Sequence, residues 1–179
     1  MMKKHIVFLI AIFFIAGCEV PQKKPEVINQ NQFLVCESGG AIRKNMVRLI
    51  NDVRKAKHRC GKRTFFPAGH VHWNPKLGVA ALAHARDMAQ NDRLSHTGSD
   101  GSEVQVRVQK TGYRWRAVDE NLSAGHQDSK AVVSAWLASP GHCANLMDPM
   151  VTEIGAACFR NPESAYGTYW ALLMAAPRE

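Results

Sequence analysis

The chain has 179 residues, with 23 Lys and Arg against 15 Asp and Glu and a formal charge of +8 at neutral pH. That size and balance exclude a low-complexity or strongly acidic polypeptide and leave room for one ordinary domain with a real core. The excess of positive charge is mild, and its cluster between Arg43 and Arg63 suits anionic headgroups or wall polymer better than nucleic acid.

Lys3 and Lys4 precede an unbroken apolar run from Ile6 to Ala16. As a helix this run spans about 16 Å, roughly half a bilayer core, so it is too short for a stable transmembrane helix. It has the length of a signal-peptide apolar region. The run closes in Ile15-Ala16-Gly17-Cys18, which resembles the bacterial lipobox. Residues 1–17 are therefore expected to be a lipoprotein signal peptide, and Cys18 the lipidated N-terminus that ties the protein to a membrane. Several acyl chains give stable anchorage, at about 0.8 kcal/mol per buried methylene. Glu19 replaces the Asp that marks inner-membrane retention, which favours the outer membrane or periplasmic face of a cell envelope. Residues 18–35 are polar, carry Pro21 and Pro25, and read as a tether. Residues 36–179 read as a single domain, expected to be monomeric.

Cys18 taken by lipid leaves Cys36, Cys60, Cys143 and Cys158. An even number in an exported chain implies two disulfides. Three pairings are open. The two local ones, Cys36–Cys60 and Cys143–Cys158, are favoured, each worth on the order of 3 kcal/mol in the chain-entropy model. The absence of any C-x-x-C pair argues against a metal–thiolate site.

Within the domain, Ile42, Met46, Leu49, Ile50 and Val53 repeat at helical spacing and predict a helix over 41–57. Residues 60–72 form a basic, aromatic loop. Asn74 as cap and Pro75 in the first turn open a second helix running to about Asn91, with Leu77, Ala81, His84 or Ala85, and Met88 inward. In 102–110, Val104, Val106 and Val108 alternate; periodicity alone predicts a strand. Asp128 or Ser129 caps a further helix with Val132, Val133, Trp136 and Leu137 inward, and Pro140 ends it. Residues 153–159 and 169–176 read as strands, the second apolar throughout, as a strand covered on both faces must be. Helices followed by terminal strands make an α+β domain, most simply a helix–sheet–helix sandwich.

Three motifs occur in order: Ser95-His96-Thr97-Gly98-Ser99-Asp100-Gly101-Ser102, Glu120-Asn121-Leu122-Ser123-Ala124-Gly125, and residues 136–147, Trp-Leu-Ala-Ser-Pro-Gly-His-Cys-Ala-Asn-Leu-Met. Thr152-Glu153-Ile154-Gly155 and the Tyr169-Trp170 strand follow. This succession resembles the CAP superfamily, also called SCP or PR-1/allergen V5, in its bacterial form, over residues 38–177. The resemblance implies a three-layer α–β–α sandwich and turns 102–110 into a helix. It also implies a cleft with two histidines, matching His96 and His142, and two acids. One acid matches Glu120; at the place of the other stands Ser139. His96, His142 and Glu120 would make a three-ligand set with an open position, suited to zinc or another divalent cation. Ser139, Asn121, Asn145 and Glu153 would line the cleft, the two asparagines holding loop backbone.

The remaining histidines carry less. His70 and His72 lack a third ligand, and His84 and His126 read as surface or satisfied core groups. No H-E-x-x-H, G-x-S-x-G or glycine-rich phosphate loop is present, which removes support for the common peptidase, hydrolase and nucleotide-binding classes. The leading expectation is a binding module for a lipid-like or envelope ligand, without turnover. The alternatives are a hydrolase using Ser139, His142 and Glu120 as a Ser–His–Glu set, or a surface-displayed interaction protein with an idle cleft.

Overall fold

The computed structural model describes residues 36–178; the signal-peptide, lipidation and tether expectations lie outside them. Five helices and six strands follow in the order α1 (Gly39–Arg54), β1 (His58–Cys60), β2 (Arg63–Phe65), β3 (His72–Trp73), α2 (Pro75–Gln90), α3 (Val104–Lys110), β4 (Trp115–Ala124), α4 (Ser129–Ala138), α5 (Pro140–Leu146), β5 (Glu153–Arg160) and β6 (Thr168–Pro177). Strands β3, β5, β6 and β4 form one sheet in that order, antiparallel except for the short β3–β5 pair. Among the described residues, no helix is long and apolar enough to cross a membrane.

The sheet separates two helical layers, which is the α–β–α sandwich. On one face, Ile42, Met46 and Ile50 of α1 and Val132, Val133 and Trp136 of α4 pack on Ile154, Trp170, Leu172 and Met174. On the other, Leu77, Ala81, Ala85 and Met88 of α2 and Val108 of α3 pack on Phe159, Tyr169, Ala171 and Leu173. Strand β6 feeds both cores from alternate residues, so its sequence is apolar without a break. Helix α2 lies directly on β5. A Cβ on Gly155 would collide with the backbone of Leu77 and Gly78, so glycine at 155 is what lets helix and strand touch.

The predicted caps are met where local chemistry sets them. Asn74 accepts from the Lys76 N–H with Pro75 at the start of α2, and Asp128 accepts from the Ala131 N–H at the start of α4. Three local expectations need correction, and one is met. Residues 104–110 are helical, as the family resemblance implies and against the strand that periodicity alone predicts: Val104 and Val108 face α2 four residues apart, while Val106 is 44% exposed. The alternation of valines thus conceals a helical pair. Gly112, at φ 75°, lets the chain turn out of this helix. Pro140 ends α4 but also begins α5, where its missing N–H costs nothing. The basic loop holds an antiparallel hairpin, β1–β2. Helix α1 closes at Arg54 rather than Lys57.

The disulfides are Cys36–Cys158 and Cys60–Cys143, not the local pairs. Cys36 leads into α1 and meets the middle of β5 beneath that helix. Cys60 ends β1 and meets the buried face of α5. Chain neighbours therefore fall on different elements, and sequence spacing is no guide to them.

Arg54, 1% exposed, ties the same layer together. Its Nε donates to Gly69 O (2.6 Å), Nη1 to Leu146 O (2.8 Å) and Asp148 O (2.9 Å), and Nη2 to Val151 O (3.2 Å). Every nitrogen of this buried guanidinium is used, each on a loop or helix-end carbonyl that would otherwise lack a donor.

Candidate functional site

The site forms along β4, the edge strand next to β6. Successive residues of a strand point to opposite faces, so Glu120 turns with Leu122 toward the α2–α3 layer and Asn121 toward α5. Glu120 is 6% exposed. Its Oε1 accepts from His96 Nδ1 at 2.8 Å, and its Oε2 accepts from Arg107 Nη2 at 2.7 Å. His84 Nε2 lies 4.0 Å from Oε2 and donates to Ser95 O at 2.9 Å. One carboxylate thus gathers three side chains from three segments of the chain.

His96 comes from the connection between α2 and α3, and its side chain is 60% exposed. With Nδ1–H given to Glu120, the ring keeps Nε2 for a second partner. His142, in the first turn of α5, has its pKa lowered by burial and then by the charge of His96. The two imidazoles therefore belong to one neighbourhood, reached from opposite layers across the sheet edge. Asn121 Nδ2 donates to His142 O (3.0 Å), and Asn145 Nδ2 donates to Asn121 Oδ1 (2.9 Å) and Glu120 O (3.4 Å). The two asparagines hold the backbone of the site rather than face outward.

The other sequence candidates lie elsewhere or do other work. Ser139 is the joint between α4 and α5; its carbonyl accepts from Cys143 N at 2.8 Å, and its hydroxyl makes no hydrogen bond to His142 among the described residues. Glu120 orients His96 rather than His142, so the three members of a Ser–His–Glu set are not in relay. Glu153 accepts from Tyr113 Oη (2.5 Å) and Asn74 Nδ2 (3.2 Å) at the start of α2 and does not join the histidines.

A divalent cation held by His96, His142 and Glu120 does not fit these donors. Both Glu120 oxygens are engaged, one by the fixed positive charge of Arg107. Among the described residues, no three His, Cys, Asp or Glu side chains gather as a metal set. What remains for a ligand is two imidazoles, offering polar ring nitrogens and flat apolar faces.

Two residues of the site escaped the sequence. Arg107 sits in the valine alternation, where a strand reading gives it no partner; only the helix brings it to Glu120. Asp119, beside Glu120, faces the opposite layer half-buried, and its pKa is raised to about 6 by burial and then by the neighbouring Asp148. Nothing in the local sequence signals that pairing, which spans the chain from β4 to the loop after α5.

Comparisons with known proteins agree on the fold. An outer surface protein of Borrelia burgdorferi superposes with a TM-score of 0.67 at 20% identity, covering 82% of this chain and 99% of that one. An extracellular protein containing a SCP domain from Bacillus anthracis gives 0.63 at 21% identity, over 76% of this chain and 41% of that one. In sequence, the uncharacterized protein YkwD of Bacillus subtilis is 28% identical over 79 residues, 44% of this chain and 31% of that protein. The chain thus spans less than half the length of both Bacillus proteins. The model of the cysteine-rich secretory protein family matches residues 47–174, most of the domain and all of the cleft residues, and the chain belongs to this CAP family.

Proposed function

We propose that this is an exported envelope protein, anchored by acyl chains on Cys18, whose CAP domain binds a lipid-like or envelope ligand at the His96–His142 cleft without turning it over. The observation that carries this reading is the engagement of Glu120. Its charge is used inside the protein, on His96 and Arg107, so the cleft offers oriented imidazoles rather than a metal-bound water or an activated hydroxyl. Oriented imidazoles, each with polar ring nitrogens and an apolar face, suit recognition. The apolar run before Cys18 and the surface and extracellular character of the structural relatives support placement at the envelope.

The test is native mass spectrometry of the protein after incubation with envelope lipid extract and with isolated wall polymer, beside a His96→Ala/His142→Ala variant. Retention of one mass class by the wild type and its loss in the variant is the expected result. A product that accumulates with time, and depends on His142, would replace binding by catalysis.

A further inference from the structure

A groove of about 440 Å³ runs between α2 and α3, behind Glu120 and away from His142. Its α2 wall is apolar at Val79, Ala80 and Ala83, while Asp87, Asp100 and Lys110 bring charge of both signs to the lining. Val79 is 61% exposed at the mouth. His84 and Arg107 line the same groove. Among the described residues, His84 Nδ1 and Arg107 Nε are the buried side-chain nitrogens without a hydrogen-bond partner, on residues only 1% and 8% exposed. Asp87 Oδ2 stands 4.0 Å from His84 Nδ1, beyond hydrogen-bond reach.

Their chemistry is complementary. Arg107 Nε carries a hydrogen and can only donate, while its other nitrogens already serve Ser102 O and Glu120. His84 Nε2 donates to Ser95 O, and burial keeps the ring neutral by lowering its pKa. Its Nδ1 is then a bare acceptor. A buried donor or acceptor left unpaired costs about 1–3 kcal/mol, so two on residues that line one groove call for one group that answers both. A hydroxyl does so: its oxygen accepts from Arg107 Nε–H while its hydrogen goes to His84 Nδ1. A carboxylate has no hydrogen for His84 and would meet Asp87 and Asp100 in the lining; an ammonium would meet Arg107 and Lys110. A water molecule has the right atoms, but its share of volume is about 30 Å³, a small part of this groove.

We propose that the α2–α3 groove is a second ligand site, separate from the His96–His142 cleft, and that it takes a neutral amphiphile whose hydroxyl seats between Arg107 and His84 while its hydrocarbon lies along Val79, Ala80 and Ala83. The same Glu120 that orients His96 holds Arg107 in place for it.

The experiment is photolabelling of the purified protein with a diazirine-bearing decan-1-ol, followed by peptide mapping. Label is expected in residues 75–90 and 104–111, displaced by decan-1-ol at least tenfold more effectively than by decanoate. Ala83→Trp fills the groove from an exposed position and should remove at least nine-tenths of the label with the melting temperature unchanged. Arg107→Lys keeps a cation for Glu120 but has no Nε–H, and should erase the preference for alcohol over acid while label persists. His142→Ala should leave the labelling as it is, which separates this site from the cleft. Label spread over the surface, equal displacement by decanoate, or full labelling of Ala83→Trp would overturn the proposal.

Discussion

The two helical layers hold the same kind of residue in opposite ways. Beneath α1, Arg54 uses all its nitrogens on four carbonyls, and both disulfides cross-link that layer to β5 or to the hairpin. Beneath α2 and α3, Arg107 meets Glu120 and Ser102 but keeps one nitrogen unpartnered, as does His84 in the lining of the same groove. No disulfide reaches this second layer among the described residues. One face is closed on itself; the other holds unsatisfied polar capacity at a groove. A buried arginine therefore says little by itself: the count of its unmet hydrogen bonds separates a strut from a site.

The contrast can be broken at several points. The largest effect is expected from Arg54→Met, which removes the donor from four carbonyls, those of Leu146 and Val151 buried, and should cost about 3–5 kcal/mol, read as a fall in the denaturant midpoint with no ligand-specific signature. Replacing Cys60 and Cys143 together by serine opens a cross-link spanning 83 residues and should cost about 2–5 kcal/mol. Glu120→Gln keeps the shape but removes the charge from Arg107 and His96. It should cost about 1–3 kcal/mol and, unlike the first two, should weaken ligand retention at the cleft and alcohol labelling at the groove together. If Glu120→Gln loses stability but neither binding signal, the distinction between the layers fails.

The smallest effects are in pH dependence, and they have opposite signs. The Asp119 carboxyl is raised from 3.8 to about 6 in the folded state, so folding favours its protonated form. Its contribution is complete below about pH 4 and is lost as pH rises through about 6. The His142 ring is lowered by burial and by His96, so its contribution is complete above its ordinary value near 6.5 and is lost as pH falls. Asp119→Asn should flatten the decline in midpoint between pH 4 and 6, and His142→Gln should flatten the loss on the acid side. An unchanged profile in either variant would contradict the assigned environment.

Much of the frame could be read from the residues. Helices α1, α2 and α4 follow from apolar spacing and from the Asn74 and Asp128 caps, and β6 from an apolar run that only a doubly covered strand sustains. Strand β4 left no such trace, because it carries the site: Arg116, Asp119, Glu120 and Asn121 break the alternation that marks an ordinary strand. The disulfide pairing escaped because it joins elements distant in sequence. The resemblance brought His96, His142 and Glu120 together, and the structure places Glu120 against His96. It could not reveal which partners occupy the carboxylate, since Arg107 belongs to none of the motifs that carry the resemblance. Glu153 followed the motif order but serves Tyr113 and Asn74 at another corner.

Glu120 acts inward, as the orienting partner of His96 and the anchor of Arg107, rather than as a ligand, and both binding surfaces depend on that role. Calorimetric titration of zinc into the purified protein, beside the His96→Ala/His142→Ala variant, tests it most directly. The prediction is no tight one-to-one binding in the wild type and the same weak heats in the variant. Tight stoichiometric binding that disappears with the two histidines would show that Glu120 releases Arg107 or His96 to complete a metal site, and would contradict the inward role.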